Sequence, residues 1–190
     1  MKEFEVEIVS KSPYMQSRMD DIDLAIWEGK RGFIIERDDV SKEDLVRAEY
    51  RMYRNSGGKP FIPSEHIRGA LINGGKFVKA KVGNAKCSMS NIVAGMFSIE
   101  PEEIILDESW VIDKRSAFNQ KVKARVIVIR PKWEKWEAKF ILKVDNDTIT
   151  DETIKSILAY AGQYVGIGSF NVTHRGMFGR FEIKTFNRIL

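Results

Sequence analysis

The chain is poor in the residues from which many active sites are built. Its single cysteine, Cys87, excludes an intramolecular disulfide and a cysteine-built metal centre, and suits a reducing, cytoplasmic setting. Only two histidines, His66 and His174, occur in 190 residues. No metal-ligand cluster, Ser-His-Asp order or activated cysteine emerges, so neither a metal nor a cofactor is expected. No run of about eighteen apolar residues is present, so no helical membrane span is expected. The opening residues alternate charged and apolar side chains, as a strand does and a signal peptide does not. Internal repeats, coiled-coil heptads and low-complexity tracts are also missing. Neither charge sign dominates: the net charge of +4 permits nucleic-acid binding without demanding it.

What is present suits one folded domain over residues 1–190, with four tryptophans and eleven phenylalanines to fill a core. In residues 2–9, Phe4, Val6 and Ile8 alternate with Glu3, Glu5 and Glu7, the period of a strand buried on one face. Residues 10–40 are irregular, with a short strand expected at 32–36. A helix is expected over 41–54, opened by the capping box Ser41-x-x-Asp44, striped by Leu45, Ala48 and Met52, and stopped by the glycines and proline of 55–60. A second helix is expected from Ser64, read as its N-cap, with Ile67, Ala70 and Leu71 on one apolar face. A short helix at 88–94 and strand pieces at 95–99 and 103–107 come next. Two strands of period two then follow. In 121–129, Val122, Ala124, Val126 and Val128 share a face; in 135–144, Trp136, Ala138, Phe140, Leu142 and Val144 do. Thr150 caps a helix with Asp151 and Glu152 in its first turn and Ile154, Ile157, Leu158 and Ala161 on one side. The last strand is expected at 177–186. Without insertions the order is β, α, β, β, α, β: an α+β, ferredoxin-like (RRM-like) antiparallel sheet with helices on one face and an inserted arm at 82–120.

Two segments carry the functional signal. The tail Gly166-Ile-Gly-Ser-Phe-Asn-Val-Thr-His-Arg-Gly-Met-Phe-Gly-Arg-Phe181 places four glycines within fourteen residues, between a helix and the last strand. Such a loop needs backbone at positive φ, or backbone that something approaches closely. The upstream segment is Phe61-Ile-Pro-Ser-Glu-His-Ile-Arg-Gly-Ala-Leu-Ile-Asn-Gly-Gly-Lys76. A Rossmann or P-loop reading fails on context, because those loops follow a strand and open a helix. Together the two segments resemble the RAMP superfamily, the ferredoxin-like backbone subunits of CRISPR effector complexes and their relatives, including phage and mobile-element proteins. In that family an Ile-Pro-x-Ser-x-(Leu/Ile)-(Lys/Arg)-Gly-Ala motif opens the first conserved helix and a Gly-x-Gly loop precedes the last strand. Here Glu65 and His66 stand where small or hydroxylic residues are usual.

The resemblance implies that the helix and loop contact the backbone of a guide RNA, and that the 82–120 arm is thumb-like. Amides at the start of the helix, with Ser64, Arg68 and either Asn73 or Lys76, would hold phosphates, and His66 would also contact the RNA. At the loop, Gly166 and Gly168 would admit the backbone, with donors from His174, Arg175 and Arg180; a ligand-free turn is the competing reading. In the loop after the first strand, Lys11, Tyr14 and Arg18 would meet a nucleotide, or simply be solvated. Lys114, Arg115 and Phe118 on the arm would wedge between bases as a thumb does, or be solvated at a hairpin tip. The outward lysines of the sheet read better as a lattice paired with glutamates than as a binding face. Asp20, Asp21 and Asp23 read better as an acidic surface loop than as the cleaving aspartate of some type III backbone subunits. The expected function is an RNA-binding backbone subunit that oligomerises along guide RNA, with a complementary RNA or DNA target left to base pairing. Two rivals remain: a RAMP-type endoribonuclease using His66 or His174, and a mobile-element protein that mimics or joins a CRISPR complex.

Overall fold

Phe4, Val6 and Ile8 are fully buried, as their alternation with glutamates requires. A computed structural model describes residues 1–18, 44–82, 85–119 and 124–190. The strand expected at 32–36, Ser41, the three early aspartates, Lys121, Val122 and Lys123 lie outside the described residues. So do the side chains of Phe118, Ala124, Arg125 and Val126.

In chain order, β1 (Lys2–Ser10) and β2 (Tyr14–Met15) precede α1 (Asp44–Tyr50). Strand β3 (Phe61–Pro63) runs into α2 (Ser64–Gly74) and a 3-10 turn (Gly75–Phe77). The hairpin of β4 (Lys79–Val82) and β5 (Ala85–Ser88) leads to α3 (Ser90–Met96), β6 (Phe97–Glu100) and β7 (Glu103–Ile105). Three longer strands follow: β8 (Val111–Asn119), β9 (Ala124–Trp133) and β10 (Glu137–Val144). Helix α4 (Asp151–Tyr160), a π turn (Ala161–Val165) and a 3-10 turn (Val172–His174) precede β11 (Phe181–Arg188).

The main sheet has the order β11-β1-β10-β6, with every neighbouring pair antiparallel. Phe4, Val6 and Ile8 share a buried layer with Ala138, Phe140, Leu142 and Val144 of β10 and Phe97 and Ile99 of β6. Ile67, Ala70 and Leu71 of α2, and Ile154, Ile157 and Leu158 of α4, complete the same core. Their i, i+3, i+4 spacing gave each helix one apolar side, and that side is the buried one. Thr150 caps α4 as its sequence predicts, its Oγ1 accepting from the Thr153 amide at 3.2 Å. In α1, Ala48 is buried but Leu45 is exposed, and the helix ends at Tyr50, short of the expected 54 and before the buried Met52, so helix and stripe both fall short of the expectation.

The outer face carries the charge lattice. Lys184 donates to Glu7 at 2.8 Å and Lys139 lies 3.4 Å from the same oxygen; Lys143 is 2.6 Å from Glu100 and 3.9 Å from Glu3. The Lys184 ammonium, helped by Lys139, holds the Glu7 carboxyl below the usual range.

One strand assignment is overturned. The segment 121–129, expected beside 135–144 in the main sheet, falls largely in β9, in a separate sheet of order β2-β9-β8. The main sheet's second strand is the short β6. Along β9 the period of two holds but the phase differs: Ile129, Pro131 and Trp133 are buried, whereas Val128 is half-buried and Ile127 is exposed. The paired strands of this long hairpin therefore cover 111–119 and 124–133, beyond the end of the stretch read as an arm. Residues 177–180 remain in the loop, and the last strand begins at Phe181.

Candidate nucleic-acid interface

Helix α2 begins without a loop. Ile62 and Pro63 are buried, β3 pairs with β7, and the ladder continues into the helix through the Ser64 amide, which donates to the Glu102 carbonyl at 2.9 Å. Pro63 occupies the cap position and no side chain caps the helix, which corrects the expectation for Ser64: its side chain is buried at the first helical position. Arg68 turns its guanidinium inward, onto the carbonyls of Ala94 and Phe97 at the end of α3, with Nε to Phe97 at 3.2 Å. Two of its donors thus hold α3 to β6.

The glycine loop is folded on itself and on β2. Gly166 and Gly168 both have φ of +73°. A Cβ on Gly168 would lie 2.4 Å from the Met15 carbonyl and from the Tyr14 ring; on Gly166 it would lie 2.8 Å from the Phe178 carbonyl. The close approach that these glycines permit is therefore that of the protein's own chain. Asn171 organises the next turn: its Oδ1 accepts from the His174 amide at 3.2 Å and from Thr173 Oγ1 at 2.6 Å, and its Nδ2 donates to the Gly168 carbonyl at 3.1 Å. His174 and Arg175 are exposed at the tip, with Arg175 at φ of +59°.

Between α2 and this loop lies a cleft of about 350 Å³. His66, Gly69 and Asn73 line one wall and Gly166, Gly168 and His174 the other, with Ser17 at the edge. The two motif segments, a hundred residues apart in sequence, thus form one site, and both histidines of the chain reach it.

His66 is fixed from behind. Gln16 donates from Nε2 to the Tyr14 hydroxyl at 3.3 Å and to the Phe61 carbonyl at 2.7 Å, and its Oε1 accepts from the Tyr53 amide at 2.8 Å. The Tyr14 hydroxyl, 3.0 Å from His66 Nδ1, has its own proton left to donate. That chain assigns a neutral imidazole with its proton on Nε2. Burial lowers the His66 pKa below its ordinary value, with Glu65 opposing. Tyr14 itself is fully buried between Trp133 and Trp136, at ring distances of 5.8 and 5.6 Å, and burial raises its phenol pKa strongly. It supports His66 from within the core and cannot stack on a nucleotide, which corrects the sequence expectation.

Beside the cleft, the arm packs its arginines against the loop's aromatic rings. Arg130 sits 4.5 Å over Phe170, and Arg115 sits 4.8 Å over Phe178 while forking onto the buried Asp113, with Nε to Oδ2 at 2.6 Å. Nε and Nη1 of Arg130 are buried without a hydrogen-bond partner. Burial, then the nearby Arg51, push its pKa down to about 10, still charged at neutral pH. Arg51 donates to Ser17 at the cleft edge, at 3.3 Å. Sequence reasoning missed Arg51 and Arg130, which sit in a helix end and a strand with no motif around them.

The remaining expected residues scatter. Lys11 pairs with Glu182 at 2.9 Å, and Lys114 with Asp44 at 2.7 Å from the middle of β8, away from a hairpin tip. Lys76 donates to Asn73 at 2.7 Å, and the Arg18 side chain is exposed. The Arg180 amide donates to Ser12 at 2.9 Å, while its Nε is buried without a partner.

No protein-family model and no curated protein matches the chain. Solved structures do. A chain of the cryo-EM structure of type III-B Cmr-beta bound to cognate target RNA aligns with a TM-score of 0.57 at 13% identity, over 99% of this chain and 60% of that one. A chain of a type IV-B CRISPR complex aligns with a TM-score of 0.45 at 12% identity, over 97% and 90%. The likeness to the Cmr-beta chain is one of fold, and this chain spans 60% of its length.

Proposed function

We propose that this chain is an RNA-binding subunit of an RNA-guided ribonucleoprotein, with a ferredoxin-like core, that grips guide RNA by its phosphates and assembles side by side along it. One observation carries the reading: the two segments that resemble RAMP motifs face each other across a single cleft, with Arg175 exposed on the loop and Arg51 at the cleft edge. The fold likeness to a chain of an RNA-bound type III-B complex supports it. The order β11-β1-β10-β6, with α2 and α4 between strands, supports the ferredoxin-like description.

The first test is to purify the protein without nuclease, measure its 260/280 nm absorbance ratio and sequence any RNA it carries. RNA of defined length or repeated sequence is the expected result. Bare protein that also fails to bind added RNA would overturn the proposal and favour a protein that joins or mimics a complex through protein contacts.

A second reading has its own observation, since His66 and His174 line the same cleft. Of two imidazoles in one cleft, the neutral one can accept a proton from an attacking hydroxyl while the other, when protonated, gives one to the leaving oxygen. Incubation of labelled single-stranded RNA with the wild type, His66→Ala and His174→Ala decides it. Cleavage lost in both variants with binding kept would establish an endoribonuclease, and intact RNA in all three reactions would dismiss it.

A further inference from the structure

Three aromatic rings stand together on the surface where α2 and α4 end. Phe77, in the 3-10 turn after α2, is 55% exposed; Tyr160, the last residue of α4, is 36% exposed; Tyr164, in the π turn, is 44% exposed. Phe77 lies 5.5 Å from Tyr164 and 6.2 Å from Tyr160, and the two tyrosines stack at 5.6 Å with a 20° interplanar angle. Single exposed apolar residues need no explanation, but three adjoining rings do. They are not an overflow of the core, because α4 already buries Ile154, Ile157 and Leu158 on its other side.

The chain leaving Phe77 is strongly cationic. Lys76, Lys79, Lys81 and Lys86 are all exposed, and residues 75–90 contain no acid. The hairpin is tied to the aromatic turn by Ser88 Oγ, which donates to the Gly75 carbonyl at 3.2 Å, and by the Met89 amide, which donates to the same carbonyl at 3.1 Å. Lys81 and Lys86 are direct cross-strand partners. Like charges placed so destabilise a hairpin, which makes an external polyanion a favourable occupant. A protein partner is disfavoured on composition, since lysine is depleted at protein interfaces. Exposed rings beside a cluster of exposed ammonium groups are the chemistry that holds single-stranded nucleic acid, bases on rings and phosphates on lysines.

The platform also adjoins the cleft. Val165 and Gly166, which directly follow Tyr164, line it, and so does Asn73, which accepts from Lys76 at 2.7 Å. We infer that Phe77, Tyr160 and Tyr164 form a stacking platform for unpaired bases of single-stranded nucleic acid, continuous with the α2–glycine-loop cleft and flanked by the lysines of the β4–β5 hairpin. This deepens the proposed function and rests on it.

The test compares a short oligoadenylate RNA with an abasic ribose-phosphate strand of equal length, by fluorescence anisotropy. The proteins are the wild type, a Phe77→Ala/Tyr164→Ala double variant and Arg175→Glu. Both rings are exposed, so an unchanged melting temperature should confirm that the double variant folds. The wild type is expected to prefer the base-bearing strand by roughly tenfold. The double variant should lose that preference while keeping its affinity for the abasic strand, and Arg175→Glu should weaken both strands alike. A wild type indifferent to bases, or a double variant that keeps the preference, would overturn the platform and leave the cleft reading standing. Failure of the wild type to bind either strand would overturn both. A double variant changed only in self-association would make the patch a protein interface and overturn the platform.

Discussion

His66 is held neutral by burial and by the hydroxyl of Tyr14, and this has a measurable cost in acid. Its folded pKa lies below the ordinary value of about 6.5, so on acidification the unfolded chain takes up the proton first. The stability tied to the neutral ring is complete above that pH and is lost as pH falls from there through the lower folded value. Wild-type melting temperature should therefore drop more steeply across this window than that of His66→Gln; parallel curves would mean that the ring is not held neutral. Tyr14 also shows where sequence reading stops. In a polar loop after a strand it reads as a surface residue, yet Trp133 and Trp136, more than a hundred residues away, close over it. Nothing local announces such burial. Arg68 is the converse case: its place in the motif suggests an anion, and its two carbonyl partners come from an element that the motif does not contain.

At the scale of elements, the glycine loop is built by contact with β2. Gly168→Ala should lower stability by about 2 kcal/mol or more, because a Cβ there meets the Met15 carbonyl at 2.4 Å on left-handed backbone. Gly95→Ala in α3, where a Cβ would meet nothing within 4 Å, should instead be neutral or stabilising by roughly 0.5–1 kcal/mol. Chemical denaturation of both variants checks the pair, and equal effects would refute the packing account. The α4 helix was legible in advance because a period near 3.6 is a local property: Ile154, Ile157, Leu158 and Ala161 are all fully buried, as their spacing requires. Strand pairing was not. Residues 97–100 and 121–129 both alternate, and period two cannot say which of them lies beside β10. The choice is made by long-range partners, with Ile99 opposite Leu142 and Phe97 opposite Val144.

For the whole molecule, a phosphate grip predicts affinity that falls steeply with salt and varies little with sequence. On single-stranded RNA the logarithm of the binding constant should fall against the logarithm of salt concentration with a slope of roughly −0.7 per phosphate contacted. Arg175→Glu should make that slope shallower; an unchanged slope and affinity would remove Arg175 from the interface. Size-exclusion chromatography with and without RNA tests the assembly, which should enlarge as the strand is lengthened. The candidate cleft was legible as two motifs. Its arginine flank was not, because Arg51, Arg115 and Arg130 come from a helix end and both strands of the arm, and only the packing of the arm against Phe170 and Phe178 gathers them.

The ion-paired outer face of the main sheet has a consequence for such an assembly. Glu3, Glu7 and Glu100 already have their ammonium partners on Lys139, Lys143 and Lys184, so that side is electrostatically quiet. The molecule thus has a front and a back. In the proposed row, every copy would turn this quiet side away from the strand, so neighbours would meet along their flanks and not through their backs.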